Sequence, residues 1–222
     1  ARCEYAKIQP FLANKAWVQK DDKWGLIADD GRKLLMPKYV DVQPIAQYRD
    51  QFWVKEDSLW GLFDVDQETF LFRPQYDKYL TLGDFALVQM GAFSGLVSTL
   101  SNRVIFPFTI QQAKGLPKNR IAIKVDGQWG MISYEGGPLI ENRYDTLQYF
   151  AYNTFLAKTK EGSVLFNENG SLLTPSPYDE IYPFKEGRAR VRKNGKFGFI
   201  SVSGRELLPT IFDDASDYAN NV

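Results

Sequence analysis

Ile121-Ala122-Ile123-Lys124-Val125-Asp126-Gly127-Gln128-Trp129-Gly130-Met131-Ile132 is the stretch that decides the fold. Period-two spacing puts Ile121 and Ile123 on one face of a strand, the face that meets a core. Asp126-Gly127 is a strong two-residue hairpin signal, because both central positions of such a turn need a positive φ. Trp129-Gly130 opens the returning strand. Its next two residues, Met131 and Ile132, are apolar on opposite faces, so that strand is expected to be covered on both sides.

The same pattern recurs along the chain. The pair Trp-Gly, or a relic of it, stands at Trp24-Gly25, Trp60-Gly61, Ser94-Gly95, Trp129-Gly130, Ser163-Val164 and Phe197-Gly198, with steps of 36, 34, 35, 34 and 34 between second residues. Self-similarity at a fixed period of this size is the signature of a repeat architecture. Seven positions before each anchor stand Val18, Val54, Val88, Ile123, Ala157 and Val191, and nine before stand Ala16, Phe52, Ala86, Ile121, Phe155 and Ala189. These define strand A, and the Trp-Gly strand is strand B. Glycine inside a strand costs stability, so its recurrence marks a place where a neighbouring backbone or ring comes too close for a Cβ. A turn holding Gly31, Gly136, Gly170 or Gly204 leads to strand C, a short apolar run such as Leu34-Leu35-Met36-Pro37 or Leu207-Leu208-Pro209. Proline lacks the ladder N–H, so it ends that strand or sits at an edge. A ring-led segment follows, seen at Tyr76-Asp77, Tyr144-Asp145, Tyr178-Asp179 and Phe212-Asp213, and the N-terminal Tyr5 to Phe11 matches Tyr178 to Phe184.

Composition narrows the function classes. The 222 residues are 44% hydrophobic and 24% charged, which is globular, and 27 basic residues balance 27 acidic ones. With no single-sign block to track a phosphate backbone, nucleic acid is not an expected partner. No apolar run approaches the ~20 residues of a membrane-spanning helix. The chain has no histidine, which excludes a Ser-His-Asp triad, a Cys-His pair and an HExxH zinc site. The single Cys3 cannot form an intrachain disulfide. Asp64-Val65-Asp66 lacks the glycine spacing of a calcium loop, so neither a metal nor a cofactor is expected.

These residues resemble the WG-repeat family of bacterial proteins, also called KWG repeats after the lysine seen here in Lys23-Trp24-Gly25. The resemblance runs from the Tyr5 segment to the Phe212 segment, with repeats one, four and six closest to the pattern. Repeat two has Gln67 at the later turn glycine, repeats three and five lack the Trp, and repeat five lacks the Gly as well. What the resemblance implies is a β-rich array serving as a scaffold or interaction module, without catalytic residues. The expected architecture is one all-β domain over residues 1–222, an open, curved, solenoid-like array of about six ~35-residue β-meanders. A six-bladed β-propeller is the alternative; the open array is favoured because both chain ends bring the same ring-led segment.

Candidate sites follow from the strand-A alternation. Trp17 and Trp53, eight positions before their anchors, fall on the face opposite Val18 and Val54, beside the polar Gln19 and Lys55. They are expected to form an exposed aromatic ladder that anchors a protein partner or stacks on sugar rings. In the last repeat the same face carries Arg188, Arg190 and Arg192, which would suit an acidic partner. Trp24, Gly25, Trp60, Gly61, Gly95, Trp129, Gly130, Phe197 and Gly198 read as structural motif residues, since a large aromatic at one place in each unit is core. The Asp residues after the leading rings read as backbone-capping groups. The expected function is a non-catalytic protein-binding scaffold of a bacterial envelope assembly, in the periplasm or at the cell surface. A carbohydrate-binding module is the alternative function, and the cytoplasm the alternative location.

Overall fold

In the computed structural model, which describes residues 4–217, every helix-or-strand element is a β-strand. Cys3 lies outside the described residues. The chain divides into two compact units, Ala1–Thr109 and Ile110–Val222.

The first unit opens with a seven-stranded meander of β1 (Lys7–Ile8), β2 (Lys15–Lys20), β3 (Lys23–Ala28), β4 (Lys33–Ile45), β5 (Tyr48–Glu56), β6 (Leu59–Asp64) and β7 (Thr69–Tyr76). A second sheet holds β8 (Lys78–Leu82), β9 (Phe85–Met90), β10 (Phe93–Ser98) and β11 (Val104–Ile110). In the second unit one sheet comprises β12 (Gln112–Leu116), β13 (Arg120–Val125), β14 (Gln128–Ser133) and β15 (Pro138–Tyr144). Next come β16 (Thr146–Tyr149), β17 (Phe155–Thr159) and β18 (Gly162–Phe166), and then β19 (Glu180–Ile181), β20 (Arg188–Lys193), β21 (Lys196–Ser201) and β22 (Glu206–Phe212). Sheet neighbours are consecutive in sequence, and among the described residues no sheet closes into a barrel. Each unit is thus an open series of antiparallel meanders.

One register serves all six repeats. Val18 pairs with Gly25, Val54 with Gly61, Val88 with Gly95, Ile123 with Gly130, Ala157 with Val164, and Val191 with Gly198. Tight turns set it: Asp21-Asp22, Asp126-Gly127 and Asn194-Gly195 all have positive φ at both residues, the twist that suits a two-residue hairpin. The ring-led aspartates support these turns, with Asp77 and Asp179 accepting the backbone N–H of Gly91 and Gly195 at 2.6 and 3.2 Å.

The repeated glycine answers to a β-bulge. In the pairing of strand B with strand C the register slips just past the Trp, between Trp24 and Leu26, Trp60 and Leu62, Trp129 and Met131, and Phe197 and Phe199. The bulged backbone swings over the glycine. A Cβ on Gly25 would lie 2.7 Å from the Leu35 carbonyl oxygen, on Gly61 2.5 Å from the Pro74 nitrogen, and on Gly198 2.6 Å from the Leu208 oxygen. In repeat five strand C is reduced to isolated bridges at Ser163–Tyr178 and Phe166–Leu172, which is where Val164 is tolerated.

The core lies between successive meanders. Trp17, Leu26 and Tyr39 of repeat one pack with Phe52, Val54 and Phe63 of repeat two, and Trp53, Leu62 and Tyr76 of repeat two pack with Ala86, Val88 and Val97 of repeat three. The second unit repeats the rule, with Ala122, Met131 and Tyr144 against Phe155, Ala157 and Phe166, then Leu156, Leu165 and Tyr178 against Ala189, Val191 and Ile200. Within each unit, one face of a meander is therefore the floor for the meander that follows it.

Burial of phenols makes the first unit sensitive to alkali. The Tyr76 phenol is pushed up to about 12 by burial, and that of Tyr48 to about 12 by its hydrogen bond to Asp84 and by burial. An unfolded tyrosine ionises near 10, so above that pH the unfolded chain sheds protons that the folded chain retains. The stabilisation from these groups is complete below pH ~10 and is lost as pH rises through 10 towards 12. The urea midpoint should fall between pH ~9 and ~11.5, and Tyr76→Phe should flatten that fall; a pH-independent midpoint would refute the assignment.

Candidate functional site

The structure overturns the exposed aromatic ladder. Trp17 is 3% exposed and Trp53 1%, so both rings are core. Trp17 meets Phe52 at 5.3 Å between centroids; Trp53 stacks on Tyr79 at 4.2 Å and 13°, and its Nε1–H donates to Thr81 Oγ1 at 3.1 Å. The reason is the stacking of meanders: the face opposite Val18 and Val54 is the floor on which the next repeat sits. Gln19 and Lys55 are half-buried at the strand ends, where that face emerges from the core. Lys55 Nζ lies 5.4 Å from the centre of the Trp60 ring, which ties it to the fold.

The arginine face is largely engaged within the chain. Arg190 lies over the Tyr182 ring at 4.0 Å and its Nε is 3.1 Å from an Asp217 carboxylate oxygen, while Arg192 is 3.6 Å from Glu180. These contacts meet the charges of Arg190 and Arg192 locally. The motif aromatics pack at the margins of the core: Trp129 is buried, Trp24 and Trp60 are half-buried against their clusters, and Phe197 is half-buried.

An apolar surface that the alternation pattern did not mark lies on β22. Phe212 pairs with Phe197 as Tyr39 pairs with Trp24, Tyr76 with Trp60 and Tyr144 with Trp129. Those three tyrosines are buried, yet Phe212 is 41% exposed, and with it Leu208, the partner of Phe199, at 46%. Leu207 and the half-buried Phe199 adjoin them beside Arg188. Overlaying the six repeats position by position could have found this face, because it is the floor face of repeat six. Among the described residues no group of three or more His, Cys, Asp or Glu side chains is placed to hold a metal ion. Among those residues no helix is long and apolar enough to cross a membrane.

No curated protein matches this sequence. Among solved structures the chain is similar to Hsv2p of Kluyveromyces lactis, at 9% identity over 85% of this chain and 71% of that one, with a TM-score of 0.36. It is similar to apo AztD from Citrobacter koseri, at 12% identity over 95% and 74%, with a TM-score of 0.33. Dihydro-heme d1 dehydrogenase NirN in complex with DHE is a third, at 12% identity over 90% and 55%, with a TM-score of 0.34. Superpositions at this level assign neither architecture nor activity. The family model for the WG containing repeat matches residues 1–24, 165–197 and 197–222. The Val–Gly register of repeats one and six recurs in repeats two and three, and with isoleucine for valine in repeat four, so the matched segments, which are similar to the WG containing repeat, share their strand pairing with the repeats between them.

Proposed function

We propose that this chain is a non-catalytic protein-binding scaffold of a bacterial envelope assembly, and that a protein partner docks on the β22 face. The observation that carries this reading is the exposure of Phe212 and Leu208 at positions whose counterparts, Tyr39, Tyr76 and Tyr144 for the first and Phe72 and Ile140 for the second, are buried in the floor between meanders. Contiguous apolar surface of this kind is costly in water and marks interaction sites. The chemistry of the partner follows from the repeats themselves. The equivalent floor in repeat five receives Ala189, Val191 and Ile200, a strand face of small and branched side chains, so the docking segment is an extended one of similar make-up. The carbohydrate alternative rested on exposed Trp17 and Trp53, and their burial removes its platform.

Photo-crosslinking tests the reading. With p-benzoylphenylalanine placed at Leu208 and, separately, at Phe212, both positions should capture the same single polypeptide in cells. Placed at Leu80, also exposed but in the first unit, the probe should not. Absence of an adduct at both β22 positions, or the same adduct at equal yield from Leu80, would overturn the proposal.

A further inference from the structure

A cavity of about 350 Å³ opens in the first unit between the Gln9 to Leu12 segment and the end of β4 at Pro44, Ile45 and the following Ala46, against strand β2. Its size is that of small-molecule sites. Phe11, Leu12, Ile45, Phe52 and Val65 give its wall an apolar character. Two donors stand among them on one face of β2, Lys15 and Trp17, two residues apart and so on the same side of the strand.

The Trp17 indole N–H is buried and finds no acceptor among the described residues. The next repeat shows what is missing. There the Trp53 N–H donates to Thr81, which pairs across the ladder with Ala86, nine residues before its anchor. The residue that pairs with Phe52, nine before the anchor of repeat two, is Pro44. Proline thus stands where threonine supplies the hydroxyl, and Pro44 lines the cavity together with Trp17. A buried donor left unpaired is costly, a cost that an acceptor entering the cavity would remove. Lys15 supplies charge at the same wall. Its Nζ is 3.5 Å from Glu68, a carboxylate that also serves Arg32 at 3.3 Å, and Arg32 is 4.0 Å from Asp30.

We infer that this cavity binds a small monocarboxylate with an apolar body, one carboxylate oxygen accepting the Trp17 indole N–H and the charge facing Lys15. The apolar body lies against Phe11, Ile45 and Phe52. This site is separate from β22 and does not depend on the scaffold reading.

The test follows the Trp17 indole N–H signal by NMR in the intact chain, assigned by its loss in Trp17→Phe. Octanoate and 4-phenylbutanoate are the probes, with octanol and 4-phenylbutanol as their neutral counterparts. A saturable shift with the acids is expected, weakened about tenfold for the alcohols, in line with a charge-assisted hydrogen bond. Pro44→Thr should move the indole signal without ligand, by restoring the acceptor seen in the next repeat, and should weaken acid binding by about tenfold. Ala46→Trp, at the exposed rim, should abolish binding while the other indole signals stay in place. Failure of both acids to shift the Trp17 signal, equal binding of acids and alcohols, or unchanged affinity in both Pro44→Thr and Ala46→Trp would overturn the inference.

Discussion

Trp53→Ala is expected to destabilise the first unit by about 3–5 kcal/mol, the range for truncating a buried large aromatic. The ring is 1% exposed, stacks on Tyr79 and donates its N–H to Thr81. Alanine would open a cavity between repeats two and three and leave the Thr81 hydroxyl without its donor. Trp53→Phe should fall between alanine and wild type, since it retains most of the ring area and loses the hydrogen bond. Denaturation followed by tyrosine and tryptophan fluorescence measures both. An unchanged midpoint for Trp53→Ala would mean that the ring is dispensable to the stacking of meanders, the result an exposed aromatic ladder would have given.

Gly130→Val should cost at least the ~1–3 kcal/mol usual for overpacking. A Cβ at this position would sit 2.6 Å from the Ile140 carbonyl oxygen and 2.8 Å from the Asn142 nitrogen, so backbone would have to move. That movement carries a second loss. Asn142 Nδ2 donates to the Ile123 and Gln128 carbonyls at 2.9 and 3.1 Å, tying the bulged strand back to the hairpin it crosses. The urea midpoint of the second unit reports the change. A midpoint within error of wild type would exclude close backbone approach as the reason for glycine at the anchor.

These two substitutions separate what could be read locally from what could not. The anchor glycine was legible as a site of close approach because the penalty for glycine within a strand is local, and a sequence that accepts it repeatedly must gain by it. The A–B register was legible for the same reason: Asp126-Gly127 and Asn194-Gly195 leave little choice of turn. The exposure of Trp17 and Trp53 was misread, although a cue was present. Trp17 pairs with Leu26 and Trp53 with Leu62, and cross-strand partners share a face. Since strand B is apolar on both faces, the strand beside it in the same sheet is covered on both faces as well.

The amino-acid sequence by itself determined the all-β class, the six repeats, the hairpin turns and the register, because each depends on spacing and backbone preference within one repeat. Tertiary structure alone decided which face of a strand meets water. Alternation assigns residues to two faces, but whether a face is floor or surface depends on a neighbouring meander about one repeat away. The same dependence made Tyr144 core and Phe212 surface, although both pair with the motif aromatic in one register. It also left the Trp17 N–H without the acceptor that Trp53 has, because that acceptor comes from the strand paired with the next repeat, and there proline replaces threonine.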